Sequence, residues 1–183
     1  ALARRLAAVC GAVPVITTAT DLHGLFAVDE WAKRQSCVVA EPERIKQVSG
    51  ALLAGKCVHF TTDWPIQGTP PAGVLPAADG SADFALTLTP TGQVLHIVPR
   101  IAVLGIGCRR GRAAEHLQAA FAAFCSESGM APQGVAAAAS IDLKRDEPGL
   151  AAFCRDHGWN MDFYTAAQLR AVPGSFTASG FVT

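Results

Sequence analysis

The chain has 183 residues, of which 50% are hydrophobic and 16% are charged. A chain of this size and composition can bury a substantial core in one or two compact domains. Fifteen basic residues balance fifteen acidic ones and only 7% are aromatic, which excludes a chain-wide positive field for nucleic acid or anionic membranes and disfavours a base-stacking surface. An anion site would therefore have to be local.

The six cysteines are scattered, at positions 10, 37, 57, 108, 125 and 154, and no two form a Cys-x-x-Cys pair. This spacing argues against a structural zinc site, and the composition is unlike that of a small disulfide scaffold. The five histidines are isolated as well, so we expect no metal held by the protein. No apolar run is long enough to span a bilayer. We expect a cytoplasmic protein with reduced thiols.

The first sixty residues alternate between helical and strand patterns. The predicted elements are, in chain order, a helix over 1–10 that ends at Gly11, a strand over 14–18, a helix over 29–34, a strand over 37–40, a helix over 42–53 and a strand over 56–60. The helix over 42–53 is amphipathic. Its apolar residues near one face are Ile45, Val48, Leu52 and Leu53.

Polar side chains follow the predicted strand over 14–18. Thr17, Thr18 and Asp21 bring two hydroxyls and a carboxylate to its end. These groups suit a polar ligand, although the spacing alone favours hydroxyl–backbone hydrogen bonds within a turn. They are candidates for substrate binding, with a structural role as the alternative.

The segment 64–82 is rich in proline and glycine, and we predict a loop or linker there. Residues 84–88 and 94–98 then alternate as strands on either side of a Pro90-Thr91-Gly92 turn. Two short strands around such a turn indicate a β-hairpin.

The pattern becomes regular from residue 101. The predicted elements are a strand over 101–106, a helix over 113–128 with Leu117, Ala120, Phe121 and Phe124 inward, a strand over 134–141, a helix over 148–157 closed by Gly158, a strand over 161–164 and a helix that Thr165 caps and that runs to Arg170. This order predicts an α/β fold: a carboxyl-terminal three-layer α/β/α domain with a largely parallel sheet, preceded by a smaller α/β region, with a boundary near residue 99.

A glycine-rich turn follows the strand over 101–106, with the sequence Gly105-Ile106-Gly107-Cys108-Arg109-Arg110-Gly111. Its glycines let backbone amides approach a ligand and its arginines add positive charge, so the turn suits an anion. It lacks the spacing of a dinucleotide fingerprint and the Gly-Lys-Ser/Thr ending of a phosphate-binding loop. A tight turn with solvated arginines explains the pattern equally well. Cys108 is either a nucleophile or, more commonly for such residues, a small side chain that fills the turn.

A second polar turn follows the next strand. If the strand alternation continues, Ser140, Asp142 and Lys144 project to one side, and three polar groups there favour function over packing. Asp146 is expected to cap the following helix. Because neighbouring parallel strands end at the same edge of a sheet, both turns are expected to face one crevice, which suits an anionic, polyfunctional ligand.

Eight segments carry specific patterns. Three lie in the first half of the chain: PVITTATD at 14–21, FAVDEWA at 26–32 and IKQVS at 45–49. Five lie in the second half: VLGIGCRRG at 103–111, ASIDLK at 139–144, EPGL at 147–150, FY at 163–164 and FTASGFV at 176–182. The first three resemble the amino-terminal and middle regions of the cobalt-precorrin-5A hydrolase family, CbiG. The other five resemble its carboxyl-terminal domain, which also occurs alone in the related CobE. The segment 64–82 carries no match.

Two departures accompany the resemblance. The family has a glycine-rich segment with a histidine, ending Gly-Gly-Ala-Asn, directly before the residues that open this chain, and it continues past Thr183. We therefore expect a fragment: a remnant of an amino-terminal α/β domain over 1–30, the middle region over 31–98 and the CbiG/CobE-like domain over 99–183. If the glycine-rich segment belongs to the active site, these residues alone would be inactive.

The resemblance implies a role in the anaerobic route to cobalamin. The family opens the lactone of cobalt-precorrin-5A and releases acetaldehyde, which gives cobalt-precorrin-5B. By implication, water attacks the lactone carbonyl with Asp142 or Glu147 as the general base, and the sequence does not rank the two. Backbone amides of the turn over 105–111, or Lys144, would stabilise the oxyanion.

The macrocycle bears many carboxylates, with which Arg109, Arg110 and Lys144 are expected to pair. The candidate substrate-binding residues are Thr17, Thr18, Asp21, Gly105, Gly107, Cys108, Arg109, Arg110, Gly111 and Ser140. Cobalt arrives with the substrate, so no cofactor of the protein's own is expected; a homodimer or contact with other enzymes of the pathway fits this role. The main alternative is a non-catalytic, CobE-like corrinoid-binding module, and a nucleotide-binding protein would rest on the glycine turn alone.

Overall fold

The computed structural model describes residues 2–13, 24–78 and 80–174 of the chain. The predicted strand over 14–18 and the candidates Thr17, Thr18 and Asp21 lie outside the described residues. The chain divides into two compact units, Ala1–Pro99 and Arg100–Thr183. The finer division at residue 30 stays a prediction.

The first unit alternates helices and short strands. Its described helices are α1 (Leu2–Cys10), α2 (Val28–Arg34) and α3 (Ile45–Leu53), the last preceded by a 3₁₀ turn over Pro42–Arg44. Its described strands are β1 (Cys37–Val39), β2 (Val58–Thr62), β3 (Val74–Pro76), β4 (Phe84–Leu86) and β5 (Leu95–Pro99). The helices predicted over 1–10 and 29–34 and the strand predicted over 37–40 are confirmed. The helix predicted over 42–53 is confirmed from Ile45, and the strand predicted over 56–60 is present but lies two residues later, at Val58–Thr62.

The five strands form one sheet in the order β1-β5-β4-β2-β3. The pairs β2–β3, β2–β4 and β4–β5 are parallel, and β1 runs antiparallel to β5. Helices α2 and α3 bury their apolar faces in the same core as the sheet. Its buried members include Val28, Val48, Leu52, Phe60 and Phe84. Leu53, predicted on the inner face of α3, is exposed instead.

The predicted β-hairpin is wrong. β4 and β5 pair in parallel, with Phe84 opposite Leu95, so the chain between them has to run back along β4. Near its start this connection is held by the Thr87 hydroxyl, which donates to Asp63 Oδ2 at 2.6 Å. Apolar alternation fixes which side chains of a strand are buried but not the direction of its neighbour, and here β5 is also held by β1 on its other side.

The segment 64–82, predicted to be a loop or linker, contains the strand β3. Val74 in this strand is buried and pairs with Val58 of β2. Pro76 ends the strand, which is possible because β3 lies at the edge of the sheet, where a missing N–H removes no ladder hydrogen bond. A single buried side chain in a proline-rich segment gives too little periodicity to predict a strand.

The second unit has the regular pattern that its sequence predicts. Its described elements are β6 (Ala102–Gly105), α4 (Ala114–Ser128), β7 (Val135–Ile141), α5 (Pro148–His157), β8 (Asn160–Tyr164) and α6 (Ala166–Arg170). The three strands are parallel, in the order β6-β7-β8. Gly158 ends α5 in the left-handed conformation, and Thr165 caps α6 in a capping box with Gln168. These predictions are confirmed.

Helices α4 and α5 share a core with this sheet. Leu117 and Phe121 of α4 are buried there beside Leu150 and Phe153 of α5. Ala120 and Phe124 were predicted to face inward and are exposed. The two buried residues of α4 stand four apart on one narrow stripe, and the described part of the chain does not cover the neighbouring stripe.

The mixed α/β class with largely parallel sheets is confirmed. In the second unit α4 and α5 pack with Leu104, Ala138 and Met161, while Val103, the neighbour of Leu104 on the opposite face of β6, is 61% exposed. The second helical layer of the expected three-layer arrangement stays a prediction. In the described ranges no helix is long and apolar enough to cross a membrane.

Candidate functional site

Two turns meet at the carboxyl edge of the β6-β7-β8 sheet. The glycine turn, residues 105–111, leaves β6, and the acidic turn, residues 142–147, leaves β7. β6 and β7 are parallel neighbours, with Gly105 opposite Ala139, so both turns lie at the same edge. This is the edge at which parallel α/β sheets bind their ligands.

Glu147 joins the two turns. Its side chain is only 7% exposed, and its Oε2 accepts a hydrogen bond from the Gly111 N–H at 2.7 Å. Its Oε1 lies 3.2 Å from Lys144 Nζ and 3.8 Å from Arg110 Nε. The hydrogen bond from Gly111 holds the pKa of the Glu147 carboxyl below its usual range; Lys144 and Arg110 add to this effect and burial opposes it. Glu147 is therefore an ionised carboxylate with both oxygens engaged.

The predicted helix cap at Asp146 is wrong. The N-cap residue of α5 is Glu147, and it makes no side-chain capping hydrogen bond. Its carboxylate reaches across to Gly111 instead, which removes it from the amides of its own helix. Pro148 occupies the first turn of α5, where its missing N–H has no helical acceptor to lose.

Ser140 forms a second tie between the turns. Its side chain is buried, and its hydroxyl donates to the Ile106 carbonyl at 2.7 Å. The predicted projection of Ser140, Asp142 and Lys144 to one side is wrong, because residues 142–144 form a 3₁₀ turn and strand alternation stops at Ile141. Ser140 therefore has a structural role: its hydroxyl links the end of β7 to the glycine turn through the Ile106 carbonyl.

Gly149 forms a third tie, which the sequence reasoning missed. A Cβ added to it would lie 2.0 Å from the carbonyl oxygen of Arg112, so the start of α5 touches the backbone that leads into α4. Gly149 is the second residue of α5, and glycine is a poorer helix former than alanine. That mismatch was the available signal for a close backbone contact.

The three glycines of the glycine turn differ in what they do. Gly111 has a φ of 71°, in the left-handed region that favours glycine. Gly105 and Gly107 have ordinary backbone conformations, and no described atom lies within 4 Å of a Cβ built on either. Neither the backbone conformation nor the described neighbours require glycine at these two positions. Without side chains, they leave the backbone accessible to a ligand.

Backbone donors in the middle of the glycine turn lack acceptors among the described residues. The N–H of Ile106 donates to the Ala139 carbonyl at 2.8 Å, and that of Gly111 donates to Glu147. The N–H groups of residues 107 to 110, which lie between them, have no acceptor among the described residues. These amides are therefore available as donors to an anion.

The cations at this edge are not equivalent. Lys144 is 17% exposed and its charge is paired with Glu147, whereas Arg110 is 86% exposed. Arg109 is also exposed, and its guanidinium has no partner in the described part of the chain. Arg145 stacks over the ring of Phe163 at 4.7 Å. The charge available to an incoming anion is therefore mainly that of the arginines in the glycine turn.

Asp142 and Cys108 complete the edge. The Asp142 carboxylate is half-buried and makes no hydrogen bond or ion pair with the described residues. Cys108 is half-buried and packs against the core of the second unit, which supports its role as a filling side chain. Within residues 2–13, 24–78 and 80–174, no group of His, Cys, Asp and Glu side chains is placed to hold a metal.

Two family models match the chain. The cobalamin biosynthesis central region matches residues 26–83, and the cobalamin synthesis G C-terminus matches residues 102–183. Together they cover most of the chain, in the order of the two units. The chain belongs to the CbiG family.

Curated relatives of this CbiG chain carry one name. The cobalt-precorrin-5A hydrolase of Salmonella typhimurium is 32% identical over 201 aligned residues, which cover 100% of this chain and 56% of the relative. That of Priestia megaterium is 26% identical over 194 residues, covering 93% and 52%. The chain thus spans about half the length of the curated relatives it matches.

A solved structure is also similar to this CbiG chain. It is that of a cobalamin biosynthesis protein G homolog from Sulfolobus solfataricus, with 14% identity, a TM-score of 0.36 and coverage of 94% of this chain and 51% of the other. The glycine and acidic turns both fall within the region matched by the carboxyl-terminal CbiG model.

Proposed function

We propose that this chain forms part of a cobalt-precorrin-5A hydrolase. The enzyme opens the lactone of cobalt-precorrin-5A, releases acetaldehyde and gives cobalt-precorrin-5B, in the anaerobic route to cobalamin. The observation that carries this proposal is the match of the whole chain, at 32% identity, to the hydrolase of Salmonella typhimurium. The edge shared by the glycine and acidic turns supplies the charge and the amides that such a substrate needs.

In this proposal Asp142 is the general base. It takes a proton from water as the water oxygen attacks the lactone carbonyl, and the ring C–O bond then breaks to leave a carboxylic acid and an alkoxide. The alkoxide collapses to the aldehyde, a C–C bond breaks, acetaldehyde leaves, and the electron pair stays on the conjugated macrocycle. Asp142 suits this role better than Glu147, because its carboxylate has no partner among the described residues whereas both oxygens of Glu147 are engaged.

The N–H groups of residues 107 to 110, which have no acceptor among the described residues, are the proposed donors to the developing oxyanion. The Gly111 N–H already donates to Glu147, and Lys144 is neutralised by the same carboxylate, so both are weaker candidates. Arg109 and Arg110 are exposed and would pair with carboxylates at the rim of the macrocycle. Cobalt enters with the substrate, and the protein contributes no cofactor. A cytoplasmic setting and self-association belong to the same proposal.

The test is incubation of the protein with cobalt-precorrin-5A and measurement of the acetaldehyde released. Loss of a general base lowers rates by about 10²–10⁴-fold, so Asp142→Asn is expected to lower kcat by about 100-fold or more. Asp156→Asn is the matched control: Asp156 is an exposed residue of α5 whose nearest charge is Arg155, at 3.9 Å, and it should leave kcat unchanged.

The outcomes separate the alternatives. If the wild type and Asp156→Asn release acetaldehyde and Asp142→Asn does not, the result supports both the hydrolase activity and Asp142 as its general base. Wild-type kcat in Asp142→Asn removes Asp142 from that role. Tight binding of the corrinoid without acetaldehyde release supports the non-catalytic corrinoid-binding alternative. If the protein neither binds the corrinoid nor releases acetaldehyde, both functions are rejected.

A further inference from the structure

We propose that Glu147 is a positioning residue: its carboxylate holds the glycine turn against the acidic turn and fixes Lys144 between them, and it takes no proton in the reaction. The expected effect of Glu147 on the reaction rests on the proposed function. The contacts that Glu147 makes rest on the structure alone.

The first step concerns which ties hold the two turns together. The Ser140 hydroxyl on the Ile106 carbonyl and the contact of Gly149 with the Arg112 backbone are both neutral and lie on either side of the acidic turn. The Glu147 contact bridges 36 residues of sequence and ends on a backbone N–H of the glycine turn. Of these three ties, it is the one that carries charge.

The second step concerns the oxygens of Glu147. A general base needs a lone pair within hydrogen-bond reach of the water it deprotonates. Oε2 accepts from Gly111 at 2.7 Å and Oε1 from Lys144 at 3.2 Å, in a side chain that is almost fully buried. A carboxylate held in this way is stabilised in its charged form, which makes it a weak proton acceptor.

The third step concerns what Glu147 does to Lys144. The ammonium is largely buried and its described ion-pair partner is Glu147, so without this carboxylate Lys144 would be a buried, unpaired cation. It would move towards solvent or towards the substrate's carboxylates. Glu147 therefore determines where Lys144 lies relative to the free amides of the glycine turn.

The chemistry of substitution separates positioning from catalysis. Glu147→Gln keeps one amide oxygen for the Gly111 N–H but can no longer neutralise Lys144. Glu147→Ala removes both contacts. A positioning role predicts graded losses, with glutamine better than alanine, whereas a general base would be lost equally in both variants.

The experiment measures kcat and KM for acetaldehyde release in the wild type, Glu147→Gln, Glu147→Ala, Lys144→Met and the double variant Glu147→Gln/Lys144→Met. We expect Glu147→Gln to lower kcat/KM by about tenfold. Its kcat/KM should still fall at low pH as in the wild type (the acid limb of the pH profile), because the base that is protonated there is not Glu147. Lys144→Met should cost much less in the Glu147→Gln background than in the wild type, because the two residues act as a unit.

Arg145→Met is the matched control for Lys144→Met. It removes the same charge from the neighbouring position, but Arg145 stacks on Phe163 rather than pairing with Glu147. Its effect on kcat/KM should therefore add to that of Glu147→Gln without coupling.

Hydrogen exchange of the Gly111 amide gives a readout that does not depend on activity. Glu147→Ala should speed its exchange by tenfold or more, whereas the Ala138 amide, in the middle of β7, should not change. Circular dichroism verifies that each variant is folded, and Glu147→Gln serves alone if the alanine variant is not.

Several results would overturn the inference. If Glu147→Gln and Glu147→Ala are equally inactive and the acid limb of the pH profile is lost, Glu147 is the base. Additive effects of Glu147→Gln and Lys144→Met would show that the two residues do not act as a unit. Unchanged exchange of the Gly111 amide in Glu147→Ala would show that Glu147 does not hold the glycine turn. An inactive wild type whose Gly111 amide still responds to Glu147→Ala would instead count against the proposed function.

Discussion

Replacing Gly149 by alanine is expected to destabilise the second unit. The added Cβ would lie 2.0 Å from the Arg112 carbonyl oxygen and 3.0 Å from its carbon, where ordinary contacts begin at 3.4 Å. Both atoms are backbone, so either the start of α5 or the chain before α4 has to move by about 1 Å or more. Overpacking of this kind costs about 1–3 kcal/mol, and alanine regains up to about 1 kcal/mol over glycine in a helix. We expect a net loss of about 1–2 kcal/mol.

Gly107→Ala is the control, because it adds the same methyl group where no described atom lies within 4 Å. It should change stability by less than about 0.5 kcal/mol or raise it slightly. The assay is urea unfolding followed by the fluorescence of Trp159, which is buried in the core of the second unit, with Trp31 and Trp64 replaced by phenylalanine. Equal unfolding free energies for the Gly107→Ala and Gly149→Ala variants would refute the reasoning.

Three further predictions concern single side chains. The folded-state pKa of Glu147 lies below its ordinary value of 4.5. The ionised carboxylate therefore contributes to the free energy of unfolding above pH 4.5, and this contribution is lost as the pH falls through the folded-state pKa. The free energy of unfolding, measured as a function of pH, should show this loss in the wild type and not in Glu147→Gln. His96 is 3% exposed, with Glu41 Oε1 at 3.0 Å and the Thr91 carbonyl at 2.8 Å, so urea unfolding should show that His96→Leu costs about 3 kcal/mol. His59 is half-buried, and His59→Leu should cost less than about 1 kcal/mol. Thr165→Ala should remove the cap of α6 at a cost of about 1 kcal/mol, seen as faster hydrogen exchange in that helix.

Two helix boundaries of the second unit could be predicted because a local residue marks each of them. Gly158 takes the left-handed conformation after α5, and Thr165 supplies a capping hydroxyl to α6. Such signals act within one turn of the chain and need no knowledge of the tertiary fold.

The first unit shows where local signals stop. The pattern around residues 84–98 predicts two strands, which the structure has, but it does not predict their parallel pairing. The direction of β5 also depends on β1, a strand far away in sequence. Likewise, the inward face of α4 was predicted too wide, and Phe124 is exposed. Periodicity gives the direction of an apolar stripe but not how much of it the neighbouring elements cover.

In the candidate site, the sequence placed the glycine and acidic turns at one edge but could not assign their side chains. Asp142 and Glu147 are the same kind of group, five positions apart, and nothing local distinguishes them. The difference comes from the fold: α5 begins directly after Glu147, and the parallel pairing of β6 with β7 brings Gly111 within 2.7 Å of its carboxylate.

This difference decides what each carboxylate can do. Glu147 has a hydrogen bond on each oxygen and a lowered pKa, so it can hold Lys144 and the glycine turn but is a weak proton acceptor for water. Asp142, at the first position of the 3₁₀ turn, has no partner in the described part of the chain and is half-buried. A site that needs one fixed charge and one reactive carboxylate can therefore obtain both from a single turn, because burial and partners, rather than residue type, separate the two roles.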